Sequence, residues 1–308
     1  MKRLWPTLVL VIICIAGFWY ASSKDFFKDK SNEPKMVFSI KKDDVASYSI
    51  QNGDSVVELQ KKDGAWTMTK PSSLPLNSFG ADSWIDTFST TTKDKTVEDN
   101  AADLAKYGLD KPKQKFTLVL KDGSSKTINV GDPLPIQGYF YASASGSGEV
   151  FRIGEQQVNA LNKQQLDFME KSPIKVNYDQ VTSLSVDWKG DKWSLSKTDA
   201  SKKAYEADWK LGDKTVKGSD ASQVLDKAVF MATEQLVKTA VPKAGTPELR
   251  IEVKETDSGK DTVTTFTGWI EGDNVWVTKQ GDFWSYAIPS QTIQELFDKG
   301  KQLPEGSK

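Results

Sequence analysis

The chain has 308 residues, with 41 basic against 42 acidic side chains, one cysteine and no histidine. Without histidine it lacks the usual general base near neutral pH, the usual zinc ligand, and the Ser-His and Cys-His nucleophile pairs. The near-neutral balance gives no broad field for nucleic acid, and only Arg152 and Arg250 follow Arg3, so bidentate phosphate or carboxylate recognition is not a theme.

Leu4 to Tyr20 is an apolar run of 17 residues without charge, preceded by Lys2-Arg3. Its length predicts a transmembrane helix near the lower limit for crossing a bilayer, and the basic pair keeps the amino terminus cytoplasmic. Residues 1–21 are thus read as a cytoplasmic tip and single-pass anchor, with membrane lipid as the partner of residues 4–20. The remainder is read as extracytoplasmic. Phe18-Trp19-Tyr20 suits an interfacial aromatic belt. Ala21-Ser22-Ser23 leaves a cleaved signal peptide as the rival reading. Cys14 lacks the small residues expected before a lipidation site. Its position also leaves the rest of the chain with neither a disulfide nor a thiolate metal site, which suits a bacterial exported protein.

Residues 22–35 read as a charged linker. A first α+β unit, 36–172, opens with strands at 36–40, 45–50 and 55–59, with a tight turn at Asn52-Gly53-Asp54. Lys62-Asp63-Gly64 turns the chain into Ala65-Trp66-Thr67-Met68, where Trp66 points inward and Thr67 outward. A helix starts at Asn77 or Ser78, carrying Ala81, Trp84, Ile85 and Phe88 on one stripe. Asn100-Ala101-Ala102-Asp103 resembles a capping box, and Gly108 supplies a stop after Tyr107. Strands at 116–120, 126–130, 138–142 and 150–153 follow, and a helix with Val158, Leu161, Leu166 and Phe168 closes the unit.

A second, diverged unit, 173–302, repeats this order. Val181 to Val186 echoes Val45 to Ile50, Lys192 to Leu195 takes the place of Val56 to Leu59, and Asp208 to Leu211 that of Ala65 to Met68. A helical stripe follows at Val224, Leu225, Ala228 and Val229. Strands at 249–253, 263–266, 274–277 and 284–288 lead to a last helix around Ile293, Leu296 and Phe297. Residues 303–308 are a polar tail. The fold class expected is α+β: a transmembrane helix, then two tandem repeats of antiparallel sheet with packed helices.

Chemistry is sparse. Ser39/Lys42 and Ser194/Lys197 have serine–lysine spacing but fall in strands or turns without the accompanying motifs, and Ser147 between two glycines is a hairpin residue. Asp43/Asp44 and Glu98/Asp99 read as solvated loop acids, because glycosidase-like work needs two acids facing each other across a cleft. No loop has calcium-hand spacing. No catalytic residue, cofactor or metal ligand is therefore expected. Tyr139, Phe140 and Tyr141 are consecutive on a strand, so they point to both faces and one class meets a second layer, a cleft or a partner. Trp276, Trp284 and Tyr286 repeat that situation. A ligand or glycan groove fits, and so does a sheet covered on both sides.

Asp63-Gly64-Ala65-Trp66, Leu104 with Tyr107-Gly108-Leu109-Asp110 and Pro112, Val130-Gly131, Gly138 to Tyr141 and Val150-Phe151 together resemble the domain-of-unknown-function family numbered 4340. The resemblance covers most of 36–170 and, more faintly, 175–302. It implies auxiliary extracytoplasmic proteins encoded beside ABC transport systems, including gliding-associated ones, and implies no catalytic residues. Tyr107, Gly108, Leu109 and Asp110, with Tyr139, Phe140 and Tyr141, form the candidate motif or binding surface. Tyr107 and Leu109 are expected to pack the loop while Gly108 takes a positive φ. Two functions stand side by side. One is a non-enzymatic, membrane-anchored accessory or scaffold that contacts a membrane protein complex, such as an ABC transporter, or an envelope polymer. The other is a carboxylate-dependent cell-wall glycan hydrolase.

Overall fold

Period-two alternation of apolar and polar residues runs through most of the sequence after residue 44, and the chain folds accordingly as α+β. The computed structural model describes residues 15–20 and 35–304 and contains two large antiparallel sheets, of eight and nine strands, with interspersed helices. In chain order the first elements are β1 (Lys35–Met36), β2 (Val45–Asn52), β3 (Ser55–Lys62), β4 (Ala65–Lys70), α1 (Ser78–Ser89), β5 (Thr92–Lys93) and β6 (Lys95–Glu98). Then come β7 (Gln114–Leu120), β8 (Ser125–Pro133), β9 (Tyr139–Ala144), β10 (Val150–Gly154), α2 (Glu155–Leu161) and α3 (Gln165–Phe168). The later elements are β11 (Val181–Trp188), β12 (Asp191–Lys197), β13 (Trp209–Leu211), β14 (Lys214–Val216), α4 (Gly218–Val229) and β15 (Lys238–Thr239). The last are β16 (Leu249–Asp257), β17 (Lys260–Glu271), β18 (Asn274–Lys279), β19 (Trp284–Pro289) and α5 (Ser290–Lys301).

The transmembrane helix expected over residues 4–20 needs correction. Of that run, residues 15–20 are described and helical. Among the described residues no helix is long and apolar enough to cross a membrane. Residues 4–14, the greater part of the expected linker and the end of the expected tail lie outside the described residues. The single-pass topology, the extracytoplasmic placement and the lipid partner are accordingly withdrawn.

Through its described residues the chain forms two compact units, one within 1–45 and 85–161, the other within 46–84 and 162–308. In the first, strands run in the order β7-β8-β9-β10-β6. Phe116, Leu118, Ile128, Val130, Ala142, Phe151 and Ile153 alternate along them as buried residues, with Val158 and Leu161 of α2 also buried. The second unit holds β4-β3-β2, where Tyr48 stacks on Trp84 at 4.4 Å and donates its hydroxyl to the Ala81 carbonyl at 3.1 Å. Trp66 is buried and Thr67 exposed, and the indole N–H of Trp66 reaches Asp82 at 2.9 Å. Asn77 caps α1, its side-chain oxygen accepting from the amides of Phe79 and Gly80.

The nine-stranded sheet has the order β14-β13-β12-β11-β16-β17-β18-β19-β15. Its runs β13-β12-β11 and β16-β17-β18-β19-β15 reproduce, strand for strand, β4-β3-β2 and β7-β8-β9-β10-β6. One face is sealed by α4 and α5: Val224, Leu225, Ile293, Leu296 and Phe297 share a core with Val186, Leu195, Ile251 and Val277. Gly300 lets α5 lie on Trp193, since a Cβ there would meet the indole at 2.2 Å, and that indole N–H donates to the Phe297 carbonyl. The other face carries the features that follow.

Candidate functional site

Because Leu249, Ile251, Phe266, Val275, Val277 and Ile288 point into the core, their neighbours along each strand point the opposite way. Register lines up Arg250, Thr267, Thr278, Ser285 and Lys238 in one row across five strands, and sets Trp269 directly opposite Trp276 in the next. With the segment 240–247, these residues bound a cleft of about 740 Å³, the size of a small-molecule site.

The cleft's charges are organised around Glu271. Lys238 donates to one carboxylate oxygen at 2.5 Å and Lys243 to the other at 2.6 Å. Lys238 also sits 3.7 Å above the centre of the Trp276 ring, and Lys243 lies 5.8 Å from that of Trp269. The hydrogen bond from Lys238, then that from Lys243, holds Glu271 below the usual carboxylate range. All three side chains are at least a third exposed, so the trio fixes position rather than adding much stability. Arg250 is paired with Glu252 at 2.6 Å. Chemically, the cleft offers two oriented ammonium groups, an indole wall and a row of hydroxyls able to donate and accept.

The first unit has the same rows with different residues. Both last strands run directly into a helix, at Gly154-Glu155 and Pro289-Ser290, and matching back from there aligns the rows. Lys115, Asn129, Ser143, Val150 and Glu98 occupy the places of Arg250, Thr267, Thr278, Ser285 and Lys238. Gly131 and Tyr141 stand where the other sheet has Trp269 and Trp276. Here the face is filled. A single 3-10 turn, Ala105–Tyr107, ends at Gly108 with φ +67°, the positive value the sequence leads one to expect. Its N-cap residue is Leu104, without a side-chain cap, and the Asp103 carboxylate just before it accepts from the Ala105 amide, so Asn100 does not start the turn. Tyr107 and Leu109 are buried with Val150, and Tyr141 packs against them, its ring 4.9 Å from that of Tyr107. Gly131 has no room for a side chain, because a Cβ would lie 2.1 Å from the Tyr107 carbonyl oxygen. The Tyr107 hydroxyl donates to Glu98 at 2.5 Å and Lys106 does so at 2.6 Å. Those bonds, Lys106 first, hold Glu98 below its ordinary range and raise Lys106.

The candidate residues named from sequence thus divide. Tyr107, Gly108 and Leu109 build the plug, while Asp110 is exposed at its edge. Tyr139 and Tyr141 share the plugged face, Tyr139 beneath the Arg152 guanidinium at 4.7 Å, and Phe140 takes the opposite face. The cleft residues Lys238, Lys243, Trp269 and Glu271 were not singled out by the sequence. The readable signal was the two-residue turn Gly272-Asp273, which sets Trp269 opposite Trp276.

The expected functions need correction as well. The accessory role rested on the anchor, the repeated unit and the lack of catalytic apparatus. Among the described residues no helix is long and apolar enough to cross a membrane, and nothing in the structure indicates association with an ABC transporter or an envelope polymer. For the hydrolase, Glu98 is tied to Lys106 and Tyr107, and Asp43 and Asp44 lie in a 3-10 turn. Among the described residues no group of three Asp, Glu, Cys or His side chains could hold a metal ion.

The profile of a domain of unknown function, DUF4340, matches residues 66–248, more than half of the chain. The chain belongs to the DUF4340 family. No curated protein and no solved structure matches it. The DUF4340 match includes the whole Tyr107 plug and ends just before β16, so most of the cleft lies beyond it.

Proposed function

We propose that this DUF4340 protein is a non-catalytic binding module whose ligand site is the cleft on the second sheet. The observation that carries this reading is the contrast between equivalent faces. Where the first sheet is plugged by its own Tyr107 loop, the second leaves about 740 Å³ bounded by oriented lysines, indoles and hydroxyls. A concave site with a few convergent polar groups is the usual form of a small-molecule site. The non-catalytic part of this reading is supported by the geometry of Glu271, whose two carboxylate oxygens are each already taken by a lysine.

A fragment screen by NMR on the full-length chain tests this, reading the indole N–H signals of Trp269 and Trp276. Fragments should shift these two signals ahead of those of Trp66 and Trp193, which are buried. A library that leaves both untouched would sink the proposal.

A further inference from the structure

Resting on that reading, we infer that the cleft takes a small acidic sugar, a polyol bearing a carboxylate or phosphate. Lys238, Lys243 and Glu271 together carry one net positive charge at the cleft. Each ammonium has three donors, so its bond to Glu271 leaves two for an incoming oxyanion. Glu271 and the indole faces hold both ammonium groups in place before a ligand arrives, which lowers the ordering cost of binding.

Charge alone would not need the floor beside it. Thr267, Thr278 and Ser285 are register neighbours on three strands, spaced by about 4.8 Å, and run up to Lys238. A hydroxyl both donates and accepts, as the hydroxyls of a sugar do, whereas a bare carboxylate or phosphate only accepts. Trp269 and Trp276 add an apolar wall of the kind that meets the C–H surface of a sugar ring. A polynucleotide fits less well, since the chain is close to neutral overall and the cleft also carries Glu271 and Asp282.

The competing account is that the lysines do no more than staple the 240–247 segment to Glu271. Titrating the full-length chain with glucuronate, glucose 6-phosphate, glucose and acetate, and following the Trp269 and Trp276 indole signals, decides between them. Glucuronate or glucose 6-phosphate should bind at least about ten-fold more tightly than glucose, the worth of one charge-assisted contact, and about ten-fold more tightly than acetate, the worth of the added hydroxyl and ring contacts. The better of the two acids tells carboxylate from phosphate. Lys238→Met should abolish the advantage over glucose. Thr278→Val, which keeps the charges, should reduce the advantage over acetate. Equal binding of glucose, equal binding of acetate, or an unchanged preference in both variants overturns the inference. If none of the four moves the indoles while fragments do, the sugar assignment falls and the binding module stands; silence in both assays ends both.

Discussion

The two sheets share a strand order but treat their outer faces in opposite ways. Around Val150 the face is dry: Tyr107 and Leu109 lie on it, and Gly131 clears space for their backbone. On the equivalent face of the other sheet Ser285, itself buried, lines the floor of the cleft, and Trp269 stands where Gly131 would admit a plug. Three matched positions carry most of the change: Gly131 against Trp269, Val150 against Ser285, and Glu98 against Lys238. A similar strand order can thus present a packed face or a cleft, according to which residues stand at these few positions and whether a loop finds a glycine to sit on. On the function proposed above, the plugged face serves packing and the open one binding.

The comparison breaks first at Tyr107. Tyr107→Ala should cost about 3 kcal/mol by emptying the plug, read as a lowered denaturation midpoint, and should leave the Trp276 indole signal in place. An effect within error would mean that the plug is not what closes the first face. Gly131→Ala should cost about 2 kcal/mol, because the new methyl cannot coexist with the Tyr107 carbonyl and the loop must lift. Trp269→Ala, at the matched position, should leave stability nearly unchanged while weakening ligand binding, and a reversed pattern would invert the assignment of the two faces. Gly108→Ala should cost about 1 kcal/mol for its left-handed backbone, with the crowded Asp132 carboxylate swinging aside. A stabilising substitution there would show that the turn tolerates another conformation.

Much of the plug was legible and almost none of the cleft was. Tyr107-Gly108-Leu109 is local: a turn, a positive φ and two apolar side chains are consecutive, so propensity alone suggests the geometry. Trp66 inward and Asn77 at a helix start are local in the same sense. The cleft depends on long-range pairing. Lys238 meets Ser285 through a strand of two residues, Lys238–Thr239, too short for any alternation to announce it. Glu271 looks like a turn acid until Lys238 and Lys243 converge on it from a segment about thirty residues earlier in the chain. Of the amino-terminal run only residues 15–20 are described, and among the described residues no helix is long and apolar enough to cross a membrane.

The smallest expected effect is with pH, and it separates the faces by consequence rather than by charge. Glu98 holds one lysine and Glu271 two, and each has its folded pKa lowered from an ordinary value of 4.5. A depressed carboxylate stabilises the fold in full above its unfolded pKa and loses that contribution as pH falls through the lower folded value. Both clamps therefore persist at neutral pH and weaken only below about pH 4.5. On the first face, loss of Glu98 leaves Tyr107 and Leu109 buried against Val150, so the loop should keep its amide protection. On the second, Glu271 is what ties Lys243 to the sheet, so amides of 240–247 should exchange faster as the acid is titrated. Glu271→Gln should bring that faster exchange to neutral pH, and Glu98→Gln should not do so for 101–109. Hydrogen exchange followed from about pH 7 to about pH 2.5 reads both segments at once through the lowered folded pKa values, after correction for the intrinsic pH dependence of exchange. Equal loosening of the two would mean that the plug, too, is held by charge and not by packing.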